Sequence, residues 1–136
     1  MRLLIGIDPG TKTGVAVWDP KAQAFARLTT TGIVGAMEIV EDLRACHDIK
    51  VFFEDARQRK FFADKGVEAL QGAGSIKRDC SIWEEFLRVK GIDFVAVHPV
   101  HNVTKVGAAL FQRLTKVDAR VSEHARDAAM LVFKLK

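Results

Sequence analysis

The stretch LLIGIDPGTKTGVAVWD, residues 3–19, joins two apolar runs through a loop that opens with an acid. Residues 3–8 are apolar almost throughout, the pattern of a central strand covered on both faces. Pro9, Gly10 and Gly14 punctuate a turn, and residues 15–19 return as a second strand, so the pair forms a hairpin. Asp8 therefore stands where a buried strand ends. Residues 24–33, AFARLTTTGI, carry β-branched side chains and predict a third strand, antiparallel to the second through the turn DPKAQ.

Beyond this meander the pattern changes period. In residues 34–48 the apolar positions Ala36, Ile39, Val40, Leu43 and Cys46 fall at helical spacing with acids opposite. Residues 50–56, KVFFEDA, form a short apolar run that ends in two acids, hence a fourth strand. A basic, aromatic loop follows over residues 57–65. Residues 66–90 predict a long helix, because Ala69, Ala73, Ile76, Cys80, Trp83 and Leu87 recur at alternating steps of four and three. Gly72 and Gly74 weaken its early part. Residues 92–99 are a fifth strand ended by Pro99, residues 108–116 a short helix, and residues 122–136 a last helix. Ser122 is its N-cap, and Ala125, Ala128, Ala129, Leu131, Val132 and Leu135 face inward. Three strands followed by alternating helices and strands imply an α/β fold, a mixed sheet with helices on its faces.

The 136 residues suit a single domain, 1–136. No apolar stretch approaches a membrane span, and the N-terminal apolar run is too short for a signal peptide; a cytoplasmic protein with no membrane partner is expected. Cys46 and Cys80 form no metal-binding or redox pair and read as buried, reduced thiols. The excess of 21 Lys and Arg over 17 Asp and Glu is mild, but its placement is not. Arg57, Arg59, Lys60 and Lys65 cluster in one segment, and Lys105, Arg113, Lys116 and Arg120 in another, whereas Glu38, Glu41, Asp42 and Asp48 gather elsewhere. Such separation suits a face that meets phosphates.

The acids carry the chemistry. Asp8 ends the first strand and Glu54 the fourth. If those strands lie parallel and adjacent, both carboxylates reach the carboxyl edge of the sheet, where ligands of open α/β sheets bind. His124 and Asp127, three apart, share a face of the last helix, and Asp127 borders its buried stripe. Taken singly, Asp8 reads as well as a turn cap, Glu54 as a solvated strand end and Asp127 as an ion-pair partner of Arg126 or a distant lysine. Taken together, three carboxylates forced into one place repel each other, and a hard cation resolves the conflict. Mg²⁺ prefers oxygen ligands and phosphate, and two such ions about 4 Å apart suit phosphodiester cleavage. Asp55 points away from Glu54 by strand alternation.

IGIDPGTKTGVAV, FFEDARQRKFF and SEHARDAAMLV stand in the order and at the spacing of the RuvC-type Holliday junction resolvases of the RNase H-like nuclease superfamily, and the compact length resembles the phage or phage-derived branch. The resemblance implies an RNase H-like mixed five-stranded sheet, the first three strands an antiparallel meander, with helices on both faces. It implies a homodimeric crossover junction endodeoxyribonuclease using two Mg²⁺ ions, or Mn²⁺ in their place. Such an enzyme binds four-way DNA junctions and makes paired nicks that leave 5′-phosphate and 3′-hydroxyl ends, in a bacterial or phage-infected cytoplasm. Asp8, Glu54 and Asp127 match the family's acidic metal ligands. His124 falls where many members carry a fourth acid, as a ligand or proton carrier. Lys105 matches a region where members carry a lysine near the scissile phosphate. Arg57, Arg59, Lys60 and Lys65 are candidates to grip phosphates, and Phe61 and Phe62 to stack on or wedge apart bases at the junction. His98 and His101 flank Pro99 without further zinc ligands. The seam from Ile76 through Cys80 and Trp83 to Leu87 is expected to contribute to a two-fold interface. Two other classes stay open: a YqgF-type RNA-processing nuclease, which shares the opening motif, and a non-catalytic branched-DNA-binding module, which would bind junctions without cutting them.

Overall fold

The computed structural model describes residues 2–58, 67–99 and 106–136, and of residues 67–73 the backbone only. Arg59, Lys60, Phe61, Phe62, Lys65, His101 and Lys105 lie outside the described residues. The elements run β1 (Arg2–Asp8), β2 (Thr13–Asp19), β3 (Ala24–Thr31), α1 (Ile33–Cys46), β4 (Asp48–Glu54), a 3-10 turn (Ala56–Gln58), α2 (Val67–Val89), β5 (Phe94–Val97), α3 (Ala108–Thr115) and α4 (Glu123–Met130).

The five strands form one sheet in the order β3-β2-β1-β4-β5. β1 pairs antiparallel with β2 and parallel with β4. β3 pairs antiparallel with β2, and β5 parallel with β4. The expected mixed sheet and its opening meander are both present. β1 is central, and Leu3 through Ile7 are all buried, which is why its sequence is apolar on both faces.

Alternation along the strands sorts the core into two layers. Leu3, Ile5 and Ile7 of β1, with Val15 and Val17 of β2 and Ile49, Val51 and Phe53 of β4, pack against Ala36 and Val40 of α1 and Cys80, Trp83 and Leu87 of α2. Leu4, Ala16 and Trp18 face the other way, against Phe111 of α3 and Ala128, Ala129 and Val132 beside and within α4. Asp8 shares the face of Leu4, and Glu54 that of Phe52, so both acids belong to the α4 side.

The structure corrects three sequence-based expectations. Cys80, Trp83 and Leu87 are fully buried within this chain; the seam packs on the sheet and is not available as a two-fold interface, and only Ile76 of the four stays exposed. A periodic stripe reports that a helix is buried, not what buries it. Cys46 is exposed, not buried. The last helix ends at Met130 instead of running to residue 136. Trp18 is buried and its indole N–H needs an acceptor; the carbonyl of Leu135, 2.9 Å from Nε1, supplies it. The chain turns back to make that bond, Phe133 meets Trp18 edge-on, and Leu135 itself is left exposed.

Candidate active site

Ile7 of β1 lies in register with Phe53 of β4, so Asp8 and Glu54 follow side by side at the carboxyl edge of two parallel strands. α4 crosses the same edge. It gets there by backbone contact, because a Cβ on Gly6 would lie 2.0 Å from the Ala128 carbonyl oxygen and one on Gly14 1.9 Å from that of His124. Only glycine admits a helix this close to the sheet. Gly14, which reads as turn punctuation in the sequence, belongs to β2 and acts as this seat. Ser122 caps α4, its Oγ accepting from the Ala125 amide at 3.3 Å, and its hydroxyl also bonds Thr30 of β3.

The result is a cleft of about 500 Å³ lined by Asp8, Lys12, Glu54, Glu123, His124 and Asp127, among others. Asp8, Glu54, His124 and Asp127, drawn from three elements far apart in sequence, thus share one cleft. His124 Nδ1 stands 3.1 Å from Asp8 Oδ2. Arg126, an alternative partner for Asp127 in the sequence reading, instead donates to the carbonyls of Val106 at 3.1 Å and Val121 at 2.6 Å.

Burial pushes the Asp8 carboxyl up from 3.8 to about 6; the hydrogen bond from His124 opposes this, and the negative charges of Asp127 and Glu54 add to the rise. Mutual repulsion of this kind is what a cation would relieve. The donor set suits a hard divalent ion: three carboxylates and one imidazole. As they stand, no three His, Cys, Asp or Glu side chains among the described residues close around a single point. The side chains share the cleft but do not converge on one point as the sequence reading expected.

Arg57 takes a different place from the one expected of a phosphate grip. Its Nε and Nη2 donate to the two oxygens of Asp55 at 2.7 and 2.9 Å, and Nη2 also reaches Glu84 of α2 at 2.7 Å. Gln58 adds a bond to Asp55 at 3.2 Å. Burial alone would raise the Asp55 carboxyl, but these bonds outweigh it and hold Asp55 below the usual range. The guanidinium therefore ties the end of β4 to α2, across a sequence separation that no local pattern reveals.

Two cleft residues escaped the sequence reading. Glu123 stands in the first turn of α4, and Lys12 lies between the turn residues Gly10 and Gly14. The one signal for Lys12 was its position, four residues after Asp8 and inside the same hairpin loop.

No protein-family model and no curated protein matches the chain. Among solved structures it is similar to T. thermophilus RuvC in complex with a Holliday junction substrate, with a TM-score of 0.62 and 16% sequence identity over 97% of this chain and 91% of that one. The fold is RNase H-like. Its five-stranded mixed sheet and flanking helices are shared along almost the whole of both chains.

Proposed function

We propose that this protein is a divalent-metal-dependent endonuclease that resolves four-way DNA junctions by paired nicks, leaving 5′-phosphate and 3′-hydroxyl ends. The observation that carries the reading is the meeting of Asp8, Glu54, His124 and Asp127 in one cleft at the carboxyl edge of an RNase H-like sheet. The solved relative of that fold, held with a Holliday junction, supports the choice of branched DNA.

Asp8, Glu54, Asp127 and His124 would hold the metal, two Mg²⁺ ions with Mn²⁺ able to replace them. Bound there, such ions would supply positive charge against the phosphodiester and would lower the pKa of a water. The chain's own residues do the rest. Asp8, central and desolvated, is the acid most in need of a cation. With Asp8 ionised, His124 donates from Nδ1 and keeps Nε2 as an acceptor, so it both orients Asp8 and can take up a proton. Lys105 is proposed near the scissile phosphate, and Arg59, Lys60, Phe61, Phe62 and Lys65 along the junction arms. The enzyme acts as a homodimer, which suits paired cuts on a two-fold symmetric junction; its contact uses surface other than Cys80, Trp83 and Leu87.

The test is cleavage of a synthetic four-way junction, a linear duplex of the same sequence and a structured RNA, each with Mg²⁺, Mn²⁺ or chelator. Paired nicks confined to the junction and absent in chelator are expected. A junction left whole in both metals overturns the proposal, and preferential cutting of the RNA transfers the function to the RNA-processing class.

A further inference from the structure

Among the described residues, more acids than bases line the cleft. Asp8, Glu54, Glu123 and Asp127 contribute carboxylates, and among the described residues Lys12 is the only lysine or arginine lining it. Lys12 is exposed and makes no ion pair with any of those acids. Its backbone, by contrast, is held firmly. The next residue, Thr13, is fully buried, and its hydroxyl donates to the Gly10 carbonyl at 2.8 Å. A Cβ on Gly10 would sit only 3.1 Å from the Lys12 carbonyl oxygen, so the loop is tight as well. A flexible ammonium thus projects from a fixed hairpin beside the acids. Arg57, the basic residue nearest Glu54 in sequence among those described, is committed to Asp55 and Glu84.

We propose that Lys12 binds a backbone phosphate of the DNA strand lying in this cleft, and so offsets the acids' repulsion of the substrate from the β1–β2 hairpin. The inference rests on the nuclease reading for its ligand and on the place of the exposed Lys12 in the cleft lining for its residue. A lysine acts here as a mobile point charge, suited to a phosphate of any sequence. Its removal weakens junction binding without regard to base sequence and releases about one fewer counterion.

The experiment measures junction affinity by fluorescence anisotropy from about 50 to 200 mM salt, with chelator present so that strands stay whole. Wild type is compared with Lys12→Gln, Lys12→Arg and Lys21→Gln. Lys21 lies in the turn between β2 and β3, at the opposite end of β2, and serves as the control. Lys12→Gln is expected to flatten the slope of log K against log salt by about 0.9. In Mg²⁺ the same variant raises KM and leaves kcat nearly unchanged. Lys12→Arg restores the slope, and Lys21→Gln leaves it at the wild-type value. An unchanged slope in Lys12→Gln, with wild type still cutting junctions, overturns the assignment of Lys12 alone. A wild type that binds junctions but never cuts them overturns the nuclease reading, and the slope then still decides Lys12. A wild type that binds no junction overturns both.

Discussion

Asp8 and Asp55 stand near the same edge of one sheet, on opposite faces, and the fold treats them in opposite ways. Asp55 is clasped by Arg57 and Gln58, and its carboxyl is held below the usual range. Asp8 has His124 as its hydrogen-bond partner, two more carboxylates for neighbours, and a carboxyl raised to about 6. The Asp55 cluster is assembled by side chains, with Arg57 and Arg88 set against Asp55 and Glu84. The Asp8 cluster is assembled by backbone, with α4 seated on Gly6 and Gly14, and Asp8 itself pairs with an imidazole instead of a guanidinium. A buried acid that carries its own cation is part of the scaffold. A largely desolvated acid without one is open to charge from outside, and under the proposed function that difference separates the structural Asp55 from the functional Asp8.

The contrast is sharpest in activity. Asp8→Asn is expected to lower junction cleavage by roughly a thousandfold or more, about 4 kcal/mol of barrier, while binding in chelator is kept or strengthened. Cleavage at near wild-type rate would make Asp8 no more functional than Asp55. Next in size is Arg57→Ala. It strands Asp55 with no guanidinium and is expected to lose about 3 to 4 kcal/mol in urea denaturation at pH 7. Because the folded Asp55 carboxyl lies below its unfolded value, this stabilisation is present above about pH 4 and fades as pH falls further. The gap between wild type and variant should therefore narrow in acid. A variant as stable as wild type would show that Arg57 is not the clamp described.

Asp8 predicts the reverse pH dependence. Its folded carboxyl lies above its unfolded one, so between about pH 4 and 6 the folded state keeps a proton that the unfolded chain has released. Stability falls as pH rises through that window, by up to about 3 kcal/mol at 1.36 kcal/mol per pH unit. Without divalent metal, Asp8→Asn should match wild type near pH 4 and exceed it at pH 7.5, and added Mg²⁺ should raise the wild-type Tm. The smallest effect is expected from Gly14→Ala. The added methyl meets the His124 carbonyl and should cost about 2 kcal/mol, with a larger proportional loss of cleavage than of stability, since α4 carries His124 and Asp127 away from Asp8.

Much of this was legible in the chain itself. The switch from a period of two to a period near three and a half located every described strand and α-helix, all but the last helix to within a few residues, since periodicity follows from which face is buried. The position of Asp8 and Glu54 at strand ends, and the spacing of His124 and Asp127 on one helix face, put all four at one place before any coordinates. Misreadings arose where the answer lay in a partner distant in sequence. Arg57 reads as a free cation until Glu84 of α2 arrives beside it. The stripe of Cys80, Trp83 and Leu87 fits a helix, a sheet or a second copy of the chain equally well. Lys12 was hidden by the turn residues around it, which explain the loop without need of its charge.

The sequence by itself determined the element order, the two-layered core and the edge where the acids gather, because these follow from local apolar patterning and strand alternation. Tertiary structure alone decided which cations are consumed by the fold and which stay exposed, and how near a helix backbone can come to a strand. Those outcomes depend on distances between residues far apart in the chain, and charge pairing and close packing exist only once such residues have been brought together.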